Sequence, residues 1–243
     1  MKKLILKIIN LILKIFNIKL IKIVDQFDGT YRLTLALNEN NIDYLFDIGA
    51  NEGQFSKELR YYGYKGEILS FEPLIEAHKK LIINSKNDPM WTVYKRVAVG
   101  DKNSQNIINV SKNSVSSSIL EINKEHIDNA PDSKFVNQQV IDEKKLDNIF
   151  NELDTKGKNL FLKIDTQGYE SKVLDGAENV LKNFRGILIE VSFTELYKKQ
   201  KTWLELIKQI ENLGFYIWSV DRGFTNKNNG KTLQADFVFF RRN

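Results

Sequence analysis

From Tyr44 onward, apolar runs of strand length alternate with stretches of helical periodicity, and few architectures accept that rhythm. Tyr44–Ile48 is predicted as a first strand, closed by the turn Gly49-Ala50-Asn51-Glu52-Gly53 and followed by a helix over Gln54–Tyr62. Glu67–Phe71 is a second strand, stopped by Glu72-Pro73, and Ile75–Ser85 a second helix. Further strands are expected at Trp91–Val97, Asn159–Ile164, Ile187–Val191, Phe215–Val220 and Asp236–Arg241, with helices at Ser171–Leu181 and Trp203–Leu213 between them. The alternation predicts an α/β fold with a mostly parallel seven-stranded sheet, helices on both faces, and a ligand at the carboxyl ends of the strands.

The rhythm breaks between Asp101 and Lys158, where Asn106–Ser111 and Phe135–Ile141 read as two additional strands around a polar stretch. That stretch carries Ser114, Ser116, Ser117, Ser118 and His126. It is either a solvated loop or a lid beside the ligand. His126 is read as packing rather than as a base, and His78 as a solvated helix residue. Trp91, Trp203 and Trp218 stand at core spacings, and Asn226–Gly230 is a plain polar turn.

Net charge separates a short leader from the body. The protein carries +5, yet residues 1–24 hold Lys2, Lys3, Lys7, Lys14, Lys19 and Lys22 with no acid, which leaves the remainder at −1. A basic footprint for nucleic acid is therefore absent from the body, and no nucleic acid is expected as a partner. Projected as a helix, the leader puts Lys3, Lys7, Asn10, Lys14 and Asn17 on one side and Ile5, Ile9, Leu13 and Phe16 elsewhere. Lysines interrupt each apolar run short of the length that spans a bilayer, and no cleavage site follows, so cytoplasmic residence is expected. The amphipathic helix has two readings: peripheral contact with the inner face of an anionic membrane through residues 1–24, or packing on its own domain or a partner subunit. The expected organisation is a basic amphipathic helix over residues 1–26 and one α/β domain over 27–243. The sequence contains no cysteine, which removes disulfides, thiol nucleophiles and thiolate zinc sites.

Asp47–Gly53 is the strongest chemical signal. Glycines at that turn allow close approach of a ligand, and Asp47 is placed to accept hydrogen bonds from its polar groups. The G-x-x-x-G spacing departs from the dinucleotide pattern that seats a pyrophosphate, and favours a cofactor without phosphate. Glu72, ending the second strand, is placed to take both hydroxyls of a ribose.

Asp47–Gly53, Phe71-Glu72-Pro73, Val97-Ala98-Val99-Gly100-Asp101, Leu162-Lys163-Ile164-Asp165-Thr166-Gln167-Gly168-Tyr169-Glu170 and Ile187-Leu188-Ile189-Glu190 resemble, in order and spacing, the FkbM family of methyltransferases. The resemblance covers residues 44–191. It implies a Rossmann-like class I methyltransferase fold, S-adenosylmethionine as cofactor, and O-methylation of a hydroxyl-bearing small molecule or glycan, commonly a sugar. It places Asp47, Gly49, Asn51 and Gly53 at the methionine end, Glu72 at the ribose, and Val97 and Ala98 at the adenine.

Asp165 ends the fourth strand where methyl transfer is expected, and an attacking hydroxyl must lose its proton there. Asp165 and Glu190 are therefore the expected catalytic acids, as base or as ligands of Mg²⁺ or Mn²⁺, although a third metal ligand is not evident. Glu170 is read as favouring a helix N-terminus by its charge. The competing functions are methylation of RNA or protein, and a non-catalytic membrane-attached module; no Asn/Asp-Pro-Pro-aromatic motif follows the fourth strand to suit a nucleobase amine.

Overall fold

The computed structural model describes residues 2–16 and 28–242. The expected domain boundary at residue 26, with Lys19 and Lys22, lies outside the described residues. α1 (Lys2–Leu13) is the leader helix, extended by a single 3₁₀ turn over Lys14–Phe16. α2 (Gly29–Glu39) then precedes the first strand; Asp28 caps it by accepting from the Tyr31 amide at 2.9 Å. Leu33, Ala36 and Leu37 bury its inner face at helical spacing.

The main run is β1 (Tyr44–Ile48), α3 (Gln54–Tyr61), β2 (Glu67–Phe71), α4 (Ile75–Ser85) and β3 (Trp91–Val93). An insertion follows, made of β4 (Ala98–Val99), β5 (Ser104–Ser111), α5 (Lys124–Asn129) and β6 (Phe135–Lys144). α6 (Leu146–Phe150), β7 (Leu160–Ile164), α7 (Glu170–Asp175), β8 (Phe184–Ser192), α8 (Trp203–Asn212), β9 (Phe215–Arg222) and β10 (Gln234–Arg241) complete the chain.

The seven-stranded sheet runs β3-β2-β1-β7-β8-β10-β9, with β10 antiparallel to both its neighbours and every other pair parallel. This is the mostly parallel sheet that the sequence predicts. Successive residues of β1 point to opposite faces. Tyr44, Phe46 and Ile48 enter one core with Leu162, Ile164, Ile189 and Phe239, while Leu45 enters the other with Leu37, Leu59 and Phe161. Both faces are thus covered, which is why β1 and β7 are apolar except at Asp47 and Lys163.

Two expected elements change, and one side chain expected in the core lies outside it. The third strand stops at Val93, because the chain leaves the sheet edge after the Tyr94 amide reaches the Ser70 carbonyl at 3.0 Å. Ala98 and Val99 instead pair with β6 in a separate three-stranded sheet, order β4-β6-β5. The helix expected to Leu181 ends at Asp175, where Gly176 lies so close to Gly100 that a Cβ there would stand 1.8 Å from the Gly100 carbonyl oxygen. Trp218 is 37% exposed on β9 rather than in the core, whereas Trp91 is buried.

Candidate active site

β1 and β7 are adjacent and in register, Ile48 opposite Ile164, and the strand order reverses between them. Chains leaving such a point diverge to opposite faces and open a crevice at the carboxyl edge. Gly49 makes the exit possible. Its φ is +79°, and a Cβ there would meet the Asp165 carbonyl oxygen at 1.8 Å. Gly53, at φ +85°, begins α3 where a Cβ would collide with the Trp91 ring at 2.6 Å.

The crevice is a cavity of about 270 Å³. Gly49, Asn51, Glu72, Val97 and Ala98 line it, as does Asp165. Asp47 and Gly53 do not line it, and neither does Glu190. One end is apolar, walled by Leu74, Val97, Val99, Ile108 and Ile119; the other holds Asn51, Gln54, Thr166 and Gln167. An apolar slot for a base, a carboxylate midway and a polar end for an amino acid fit an adenosyl amino acid.

A buried ion pair forms part of the floor: Lys163 lines the cavity and Asp47 lies behind it. Asp47 is fully buried, and its Oδ2 accepts from the Ser56 hydroxyl at 2.9 Å and the Ser70 hydroxyl at 3.4 Å. Lys163 Nζ stands 3.0 Å from Asp47 Oδ1 and 3.6 Å from Asp165 Oδ2, and donates to the Gly49 carbonyl at 2.9 Å. Burial alone would lower the Lys163 pKa, but Asp47 and Asp165 outweigh it and hold the amine above its ordinary value. Asp47 therefore fixes the turn from below through Lys163. The sequence signal for this lysine was its place inside the apolar strand Leu160–Ile164.

Glu72 is 4% exposed. Its Oε2 accepts from the Asn51 amide and its Oε1 from the Leu74 amide, both at 2.8 Å. Burial nevertheless pushes its carboxyl up to about 7, since two amides and the more distant Lys163 replace water incompletely. It is an acceptor short of donors, facing the cavity.

Asp165 and Glu190 are joined by a group that sequence reasoning left without a role. Gln167 Nε2 donates to Asp165 Oδ1 at 2.7 Å and to Glu190 Oε2 at 2.8 Å. Gln234 Nε2 adds a second bond to Glu190 Oε2 at 2.7 Å. Glu190 is pushed well above its ordinary pKa by burial first and by Asp165, Asp236 and Glu170 next. An amide thus spans the two carboxylates, and no cluster of three metal-ligating acids or histidines occurs among the described residues. The divalent-cation expectation finds no support in this arrangement. Glu170 does not serve a helix dipole in isolation: its Oε1 accepts from the Thr166 and Gly168 amides at 2.9 and 3.1 Å and shapes the loop after β7.

The serine-rich stretch of the insertion is not a solvated loop. Ser116, Ser117 and Ser118 are buried, and Ser114, Val115, Ser117 and Ile119 line the cavity. Asn51 Nδ2 donates to the Ser114 hydroxyl at 3.2 Å, and the Ser118 hydroxyl to the Gln167 carbonyl at 2.7 Å, so the stretch borders the crevice and is tied to the loops after β1 and β7. His126 packs beneath it against Tyr197 and Phe224, its Nδ1 without a partner among the described residues. Burial lowers its pKa to about 4, consistent with a packing role. His78 is half-buried rather than solvated, its Nε2 2.9 Å from the Tyr94 carbonyl.

Residues 47–217 match the family model described as the methyltransferase FkbM domain. No curated protein matches the chain. Among solved structures, a putative RNA methyltransferase from Pyrococcus horikoshii is 13% identical with a TM-score of 0.46, covering 87% of this chain and 82% of that one. The methyltransferase domain of a bacterial Hen1 protein is 10% identical with a TM-score of 0.48, covering 88% and 97%. A putative tRNA methyltransferase from Streptococcus pneumoniae, solved with S-adenosyl-L-methionine, is 10% identical with a TM-score of 0.48, covering 89% and 73%. The family match takes in the glycine turn, Glu72, the insertion and the Asp165 loop together, and by it the chain belongs to the FkbM family of S-adenosylmethionine-dependent methyltransferases.

Proposed function

We propose that the protein transfers a methyl group to a hydroxyl of a sugar or related glycan acceptor. The observation that carries the reading is Asp165, a carboxylate 36% exposed at the switch point, opening into the polar end of the cavity. S-adenosylmethionine, when bound, supplies an activated methyl group. Val97 and Ala98 would flank its adenine, Glu72 would accept from its ribose hydroxyls, and Gly49 and Asn51 would border its methionine end. Asp47 and Gly53 would act one layer down, Asp47 through Lys163 and Gly53 by starting α3. Asp165 would take the acceptor's proton as its oxygen attacks, and Glu190, held through Gln167, would stand behind it.

The test is Asp165→Asn in a label-transfer assay, with methyl-tritiated S-adenosylmethionine and an aqueous glycan and sugar-precursor extract. Turnover falls by about 10²-fold while affinity for S-adenosylhomocysteine is kept. Near-normal transfer by the folded variant removes Asp165 as the base. Chelator leaves wild-type turnover unchanged in this reading.

For residues 1–24 we propose contact with an anionic lipid surface. Ile5, Ile8, Ile12 and Phe16 share one face of the leader and are all more than half exposed, while Lys14 is exposed on the opposite side. No helix among the described residues is long and apolar enough to cross a membrane. Vesicles of phosphatidylglycerol should sediment with the full chain and not with a form lacking residues 1–24, and phosphatidylcholine vesicles with neither. Equal sedimentation by both forms refutes it.

A further inference from the structure

Gln167 sits at φ +56°, a left-handed conformation that glutamine adopts rarely, and Gly168 continues it at +93°. The loop is forced into that shape from three sides. Ser118 bonds the Gln167 carbonyl, Glu170 takes the amides on either side, and the Tyr197 side chain lies so near Gly168 that a Cβ there would stand 2.8 Å from Tyr197 Cβ. Strain maintained by so many contacts points to a side chain whose position matters.

That side chain has a single satisfactory orientation. Its Nε2 donates to both Asp165 and Glu190, and its Oε1 lies 2.9 Å from the Tyr197 hydroxyl, which keeps its proton because burial and the neighbouring acids raise its pKa. The same hydroxyl lies 3.0 Å from the Ser116 carbonyl in the stretch that closes the cavity. A flipped amide would turn its oxygen towards the carboxyl oxygens of Asp165 and Glu190.

We propose that Gln167 is a positioning residue for methyl transfer: its amide, oriented by Tyr197, aims Asp165 into the cavity and separates it from Glu190. The proposal rests on Asp165 as base. The single proton of the Tyr197 hydroxyl is shared between Gln167 Oε1 and the Ser116 carbonyl, so the group that orients the amide also touches the serine-rich stretch over the cavity.

Gln167→Gly, Tyr197→Phe and the double variant of the full chain test it. Glycine suits the left-handed backbone, which offsets part of the loss of the side chain's hydrogen bonds, so Gln167→Gly is expected to remain folded. Methyl transfer into the sugar extract falls by roughly tenfold or more, and Tyr197→Phe loses about fivefold while keeping the ring that packs on His126. Since tyrosine acts through the amide, the double variant is no slower than Gln167→Gly alone. Independently of any acceptor, the Gln167 side-chain amide protons exchange slowly with solvent in the wild type and at least about tenfold faster in Tyr197→Phe, followed by ¹⁵N-edited NMR. Wild-type transfer by folded Gln167→Gly, additive losses in the double variant, or unchanged exchange in Tyr197→Phe overturns the proposal. Asp165→Asn alongside separates the causes. Normal transfer by that variant removes the base itself, whereas an inactive Asp165→Asn beside a normal Gln167→Gly removes only the positioning.

Discussion

Glu72 is held at a cost to stability that the ligand should recover. Its carboxyl is raised from 4.5 to about 7 by burial, so the folded, empty protein prefers it protonated. A group whose folded pKa is raised contributes stability that is present below its unfolded pKa and lost as pH rises through the folded one. The window is therefore pH 4.5 to 7, and at about 1.4 kcal/mol per unit the loss across it is about 3 kcal/mol. Glu170 and Asp236, also raised to about 7, act in the same direction and must be subtracted.

Glu72→Gln makes the subtraction. Glutamine keeps one acceptor oxygen for the Asn51 or Leu74 amide and turns an NH₂ towards the other, a penalty of about 1–3 kcal/mol that does not vary with pH. Urea unfolding of both proteins at pH 5 and pH 8 then gives a double difference in which the constant penalty and the other acids cancel. Wild type should lose about 2–3 kcal/mol more than the variant between the two pH values. Calorimetry supplies the other half: wild-type affinity for S-adenosylhomocysteine should rise as pH climbs to 7 and then level, because ribose hydroxyls prefer the ionised acceptor. The variant should bind more weakly by about 1.5–3 kcal/mol, without that rise. Parallel stability profiles for the two proteins would refute the burial argument, and parallel affinity profiles the ribose assignment.

Lys163→Met should destabilise by about 3–5 kcal/mol in thermal unfolding, because Asp47 is left buried without its cation. Adding Asp47→Leu should restore part of that loss, and failure to do so counts against pairing as the cause. His126, lowered to about 4, stabilises only above pH 6.5, so stability should fall by about 3 kcal/mol from pH 6.5 to 4, a slope that His126→Phe should lack in acid titration. Deleting residues 1–24 should leave cofactor affinity and melting temperature unchanged within error; a large loss of melting temperature would mean that the leader packs on the domain.

The sheet was legible in the sequence because its strands announce themselves twice, by apolar runs and by the residues that stop them. β1 and β2 match their expected bounds, each being a buried strand cut by a glycine turn or by Glu72-Pro73. The third strand was read too long because Tyr94-Lys95-Arg96-Val97 carries no glycine or proline to stop it and only the lack of a partner beyond Val93 ends it, and partners are not written locally. α2 went unread although Asp28 supplies a cap, because its outer face carries Leu35, 51% exposed, and blurs the stripe. In the site, Glu72 and Asp165 were legible from their strand ends. Gln167, Tyr197 and Gln234 were not, for their role lies in contacts 23 to 44 residues apart that periodicity does not encode.

Negative charge is concentrated at the same edge. Asp47, Asp165, Glu190 and Asp236 approach Lys163, and two other acids near the crevice, Glu72 and Glu170, are raised to about 7, as is Asp236 itself. A surplus of acid there is unfavourable in the empty protein and is relieved by a positive charge or by hydroxyl donors. In the proposed function the cofactor brings both: a sulfonium at the polar end and a ribose diol at Glu72. Transfer converts that sulfonium to a neutral thioether and removes one of the two attractions, so the features that strain the empty fold also favour the cofactor over its product. Gln167 belongs to the same balance. It bridges two acid side chains with one amide, at a backbone angle that only its neighbours enforce, and so holds Asp165 facing the cavity.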